Sequence, residues 1–527
     1  MSVFSQQDLP VRPAFGPRVV KNRSLGLRSF GMMTILATGA AFGLAGCGSN
    51  LRPSVTPVNG TGPAAQPASY AFVVSLPTPT SDATGTVIDY SGDTIMATAD
   101  VGPGPSLFTL NSGTEAYTIN SDGTISNIPV NTQLQTKNVY FSTLSSFPTS
   151  GIFAGQSPIV ALFDGAIGLF ALDDNADELD YLSGSPAAAF NRTIPVAHTP
   201  VYMVGTAAAT RYYSVSQQID YGVACNQNPR GVTTTGVAQG IETATYTVSS
   251  TIPVGVCPVY AVATSDTRRV YVLNRGSDTV SVINSQTNAI NTCAPGVNQN
   301  GVAYTCHPVL PLSTTAVTKT GVTPVNGTSG MPATAGPVYA NYNNATQQLI
   351  VANYDGGTIS IIDVSLDEYG NDSPTYGTTY TVKVGTNPAS VTTLADGSRS
   401  YVANQADSTV SIVTLSSHTI ESTLAVDGHP RTVSSTMNSL YGKVYVASPD
   451  SQYITVIRTD QDIISTTVLV QGYPLDVRTT TSDGSTGNGN LTSRMPGAGQ
   501  PCYLPLSELP AAAITTTNCK YQIASQL

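Results

Sequence analysis

Four histidines and seven cysteines, with no tryptophan, set narrow limits on the chemistry available to these 527 residues. His198 lies two residues ahead of Pro200, and His429 directly precedes Pro430. Asn387 and Tyr473 hold the matching places before Pro388 and Pro474. Together they are the candidate ligand-binding residues, and His429 is the one able to act as a general base. No carboxylate partner can be assigned to His429 from sequence, so the same four positions also read as plain turn residues. Asp173-Asp-Asn-Ala-Asp-Glu178 alternates acids as a calcium loop does. The sixth place holds Glu178 in place of glycine and the twelfth carries no glutamate, so a solvated acidic turn is expected. Gly-x-Ser-x-Gly, His-Glu-x-x-His and phosphate-loop patterns are all missing. No catalytic residue, metal or cofactor is therefore expected, and binding is the expectation ahead of catalysis.

The cysteines divide by position. Five basic residues, Arg12 to Arg28, precede an apolar stretch from Met32 to Leu44 that ends Leu44-Ala-Gly-Cys47. This resembles the bacterial lipoprotein cleavage box, which implies a signal peptide over 1–46 and a lipid on Cys47. The resemblance places the protein outside the cytoplasm on a membrane, with Gly48 favouring an outer membrane where one exists. Six cysteines remain: Cys225, Cys257, Cys293, Cys306, Cys502 and Cys519. An even number in an oxidising compartment reads as disulfides, with fifteen connectivities open and neighbour pairing the simplest.

Formal charge is −10, and removing residues 1–46 takes away five basic and one acidic residue, leaving −14. A chain this acidic, without a Lys/Arg cluster, carries no footprint for nucleic acid. Charged residues make up only 10%, which suits many short strands and turns better than long surface helices.

A proline just ahead of an apolar run recurs at 105, 158, 200, 258, 337, 388, 430 and 474, at intervals of 53, 42, 58, 79, 51, 42 and 44 residues. The wording repeats as well. Tyr401-Val-Ala-Asn404, Thr409-Val-Ser-Ile-Val413 and Gly428-His-Pro430 are followed by Val444-Tyr-Val-Ala447, Ile454-Thr-Val-Ile457 and Gly472-Tyr-Pro474. Four β runs per forty-odd residues predict an all-β propeller of four-stranded blades. Residues 70–104 supply only second, third and fourth strands, and Pro474–Thr479 only a first strand. Both ends are expected to complete one blade, giving eight by count, or seven if the degenerate unit at 158–199 is not separate.

The Tyr-Val-Ala-Asn and Val-Gly-x-x-Pro texture resembles the YVTN family of extracytoplasmic propeller repeats, most clearly over 258–474. The lack of tryptophan excludes the tryptophan-docked quinoprotein propellers. The expected organisation is a signal peptide (1–46), a Pro/Gly/Ser-rich tether (47–68), the propeller (69–481) and a tail packed on it (482–527). Insertions fall at 219–240, carrying Cys225, and at 285–336, expected as an excursion loop. In a propeller the connection at 219–240 shares a face with Cys257, which makes that pairing sensible. The functional expectation is a lipid-anchored envelope binding module for a protein or polysaccharide. A lactonase-like hydrolase and a structural envelope component are the alternatives.

Overall fold

The computed structural model describes residues 70–77, 82–103, 107–111, 115–119, 125–128, 158–164, 168–173, 176–183, 189–206, 210–219, 225, 229–312, 315–318, 321–324, 334–435 and 442–479. The expected signal peptide with Cys47, the tether, and the tail with Cys502 and Cys519 lie outside them. The described residues are all β apart from one 3-10 turn, Pro229–Gly231.

Their strands form eight blade sheets of the propeller class, antiparallel but for one added strand, beside a small two-stranded ribbon. Blade 1 runs outward from Tyr473–Thr479 through Tyr70–Leu76, Asp82–Asp89 and Thr94–Pro103. The first and last described strands thus share one sheet as expected, with Val73 opposite Val477. Blade 2 is described by three strands over 107–128. Blade 3 (Pro158–Asp164 to Ala189–Pro195) is a sheet of its own, which makes the count eight among the described residues. Blades 4, 7 and 8 begin at Pro200–Gly205, Pro388–Thr393 and Thr432–Ser435, and each has four strands in sequence order.

Blades 5 and 6 depart from the expected excursion loop at 285–336. Val309–Pro311 returns to the third strand of blade 5, Thr279–Asn284. Thr315–Thr318 then pairs parallel to the outer strand of blade 6, Thr379–Lys383, and Gly321–Pro324 pairs with it in turn. Part of this insertion therefore covers sheet edges, where unpaired N–H and C=O groups would otherwise face out.

The first strands of successive blades lie side by side, from blade 2 through blade 8 to Tyr473–Thr479. Inner strands pack between two neighbouring blades, so runs such as Arg269–Asn274 are buried throughout. Outer strands alternate, as Thr419–Ala425 does.

The repeated words have structural jobs. Asn274, Asn353 and Asn404 end second strands, and each Nδ2 donates to the Thr and Ser hydroxyls of the next strand at 2.8–3.1 Å. A second device links neighbouring blades. A basic residue opening the second strand and a tyrosine two places on both reach the next blade's connection between its third and fourth strands. Arg269 donates to Asp372 at 3.1 Å while the Tyr271 hydroxyl meets that of Tyr376. Arg399 and Tyr401 both hold Asp462. Lys443 and Tyr445 hold Asp93 at 2.7 and 3.2 Å. Blade 6 has Gln348 and Ile350 in these places. Its outer strand instead stacks Tyr380 on His418 of blade 7, with centroids 3.6 Å apart.

Candidate functional site

The candidate residues sit where the chain leads into first strands, beneath the hairpins that join second to third strands. Left-handed backbone recurs directly before the first strand at Thr199 (φ 56°), Cys257 (φ 49°), Gly336 (φ 58°) and Asn387 (φ 53°). Each turns its carbonyl to accept from a hairpin N–H, of Gln217, Arg275, Tyr354 and Gln405 respectively, at 2.9–3.0 Å. In blades 8 and 1 the left-handed residue moves one place earlier, to Gly428 and Gly472. A Cβ on Gly472 would stand 2.5 Å from the backbone of Pro77, so glycine is required there.

Hairpin acids close over this lead-in. Asp450 accepts from the His429 N–H at 2.6 Å and from its Nδ1 at 2.5 Å. Asp407 accepts from Thr386 N–H, and Asp278 from Gly336 N–H at 2.7 Å. Asp177 of blade 3 reaches His198 Nδ1 at 2.6 Å and Thr199 N–H at 2.8 Å. His429 thus has the carboxylate that sequence could not assign, 21 residues away. The pairing fixes the ring, and the side chain stays 44% exposed.

Asn387, His429 and Tyr473 fall on the consecutive blades 7, 8 and 1, while His198 leads into blade 4, apart from them. Asn387 Nδ2 donates to the Tyr354 carbonyl at 3.3 Å, and Tyr473 opens its strand opposite Leu76. The four are placed on one level of the fold without forming a single cluster. The expected solvated turn at 173–180 is corrected at its two ends. Asp173 and Asp180 are buried, bonded to Ala176 N–H and the Thr193 hydroxyl. Burial pushes the Asp180 carboxyl up to about 7.

The densest part of this face joins blades 4, 5 and 6. Cys225 and Cys257 form a disulfide, as neighbour pairing suggested, which ties Cys225 to the lead-in of blade 5. The insertion expected at 219–240 ends sooner, because Thr235–Glu242 is already the third strand of blade 4. Arg230, in the 3-10 turn of that insertion, reaches Asp278 at 3.1 Å and Asp355 at 3.4 Å, on two different hairpins. Arg275 adds a 2.7 Å pair with Asp355. Cys293–Cys306 is the second disulfide. Next to it, Asp372 accepts from Arg269, from Asn291 and from the backbone N–H of His307, and it pairs with His307 Nδ1 at 3.0 Å.

Sequence reading placed the inner strands but did not single out the side chains two residues after each proline. Tyr202, Tyr260 and Tyr339, each two residues after its proline, pack in a row with centroids 4.5 and 4.9 Å apart. The same place holds Ser390, Thr432 and Asp476 in blades 7, 8 and 1. Arg478 donates two bonds to Asp476 Oδ2 at 3.2 and 3.0 Å. Burial pushes the Asp476 carboxyl up to about 6, against the opposing pull of Arg478 and Arg431. The spacing after each proline was the available signal.

No family model and no curated protein matches this chain. Solved structures similar to it include apo AztD from Citrobacter koseri, at 13% identity over 78% of this chain and 97% of that one, with a TM-score of 0.49. A putative 6-phosphogluconolactonase from Bacteroides fragilis is 14% identical over 79% and 99%, with a TM-score of 0.45. Dihydro-heme d1 dehydrogenase NirN, in complex with DHE, is 11% identical over 81% and 77%, with a TM-score of 0.47.

Proposed function

We propose that this propeller is a lipid-anchored binding module of the cell envelope, attached through Cys47 and holding a protein or polysaccharide on its lead-in face. The observation that carries the reading is the platform across blades 4, 5 and 6. One disulfide ties Cys225 to the lead-in of blade 5, and Arg230 in the Pro229–Gly231 turn pairs with hairpins of blades 5 and 6. Such bracing keeps a loop in a single geometry, which lowers the ordering cost of binding. The His429–Asp450 and His198–Asp177 pairs supply polar contacts and orientation. Resemblance to YVTN repeats and the cleavage box at Cys47 support an extracytoplasmic address.

Crosslinking the native protein in its membrane, followed by mass spectrometry, tests the reading. One reproducible envelope partner, lost when Arg230 and Cys225 are both replaced, is the expected result. Recovery in the soluble fraction with Cys47 intact refutes the anchor. The hydrolase alternative rests on the His429–Asp450 pair, and sugar-lactone hydrolysis abolished by His429→Ala would establish it.

A further inference from the structure

The outermost strands differ in how they guard their free edges. A charge or a proline interrupts most of them: Asp100 in blade 1, Arg192 in blade 3, Pro253 in blade 4, Glu421 in blade 7. Blade 6 has Lys383 and an added covering strand. Blade 5 ends in two residues, Ala289–Ile290, and blade 2 in four uncharged ones, Ile125–Ile128, so both are guarded by shortness alone. These are the usual devices against edge-to-edge pairing.

The outer strand of blade 8, Ile463–Leu469, reads Ile-Ile-Ser-Thr-Thr-Val-Leu and has no charge, no proline and no covering strand among the described residues. Ile463, Ile464 and Leu469 are 45%, 37% and 52% exposed, and Tyr453, opposite Leu469, is 40% exposed. Three of the nine exposed large hydrophobic side chains of the described residues therefore lie on this one strand, and a fourth, Tyr453, on the strand it pairs with. Such a patch marks an interaction surface.

The strand is also complementary to itself. Two copies run antiparallel about Thr466 would set Ile463 against Leu469, Ile464 against Val468 and Ser465 against Thr467. Aliphatic meets aliphatic and hydroxyl meets hydroxyl, as a two-fold interface requires. The bulge at Ser465, which blades 4 and 7 share at the matching place, is repeated by the two-fold, so both copies bend alike. Electrostatics point the same way. In an acidic chain this neutral segment is where two copies approach without like charges meeting. The nearby Arg458 and Asp460 already pair with each other at 2.5 Å.

We propose that Ile463–Leu469 is a homodimerisation edge, joining the blade 8 sheets of two copies through main-chain hydrogen bonds.

Sedimentation velocity on the full chain in detergent, over a hundredfold concentration range, tests this. A dimer is expected, and Ile463→Lys with Leu469→Lys should raise its dissociation constant at least tenfold while leaving the unfolding midpoint unchanged. In parallel, Thr466→Cys should give a covalent dimer under mild oxidation, whereas Thr423→Cys on blade 7 should not. If the lysine variant fails to fold, the Cys crosslink decides. A monomer at every concentration, a dimer insensitive to the lysines, or capture of a different protein's strand on this edge each overturns the proposal.

Discussion

Asp93 is the point at which the amino-terminal segment is bolted to blade 8, and replacing it gives the most direct test of the interblade latch. Its carboxylate accepts from Lys443 Nζ at 2.7 Å and from the Tyr445 hydroxyl at 3.2 Å, and Lys443 also donates to the Tyr90 carbonyl at 2.7 Å. Both charged side chains are about 15% exposed, so the pair lies between surface and interior. Exposed pairs contribute about 0–1 kcal/mol, and breaking a buried one costs about 3–5 kcal/mol. Hydrogen bonds to charged groups contribute about 1.5–3 kcal/mol. Asp93→Ala should therefore cost about 3 kcal/mol, and Asp93→Asn, which keeps an acceptor for Tyr445, about half as much. With no tryptophan and 26 tyrosines, urea unfolding is best followed by tyrosine fluorescence and far-UV circular dichroism. A double-mutant cycle with Lys443→Met isolates the coupling, expected at about 1.5 kcal/mol. As an internal control, Asp460→Ala should leave the midpoint unmoved, because its pair with Arg458 is exposed. A coupling indistinguishable from zero, or equal effects for Asp93 and Asp460, would refute the latch as a source of stability.

Removing Cys225–Cys257 by paired serine substitution should cost about 4 kcal/mol, against about 3 kcal/mol for Cys293–Cys306, since the closed loops differ in length; denaturant midpoints of the two variants give the order. Asn404→Ala strips bonds from Thr409, Ser411 and the Gly385 N–H, and should cost about 2–3 kcal/mol in the same assay. Asp476 has a folded-state value of about 6, above its ordinary value, so it favours folding most below pH 4 and loses that contribution as pH rises through 6. The difference in stability between wild type and Asp476→Asn should change by about 2 kcal/mol between pH 4 and pH 7. A flat difference would show that the carboxyl is not desolvated.

The repeat was legible because each recurring word has a local task. Asn404 bridges to a strand only five to seven residues on, Gly428 turns the chain ahead of Pro430, and alternate apolar residues fill both faces of inner strands. What sequence could not show were partners set by three-dimensional neighbourhood. Arg399 finds Asp462, and Lys443 finds Asp93 some 350 residues away. His429 finds Asp450 only because a hairpin folds over the lead-in. Local composition misled in two places. The acids at 173–180 read as solvated although Asp173 and Asp180 turn inward. The Gly/Thr/Pro-rich 285–336 segment read as a free excursion, yet Val309–Pro311 and Thr315–Thr318 are ladder partners. Burial and strand addition depend on what the rest of the chain brings alongside.

The sheet that pairs Tyr70–Leu76 with Tyr473–Thr479 sets an order of events in the life of the chain. The first hairpin to be synthesised must wait for a strand made about 400 residues later. Closing a loop of that length costs about 5 kcal/mol of chain entropy, a debt settled only in the final step. Until then the amino-terminal strands offer a bare edge. A cut after Gly472 would remove Tyr473–Thr479 and restore that edge, undoing blade 1 while leaving the other seven blades covalently untouched. The presence of Tyr473–Thr479 is thus a checkpoint on the whole molecule.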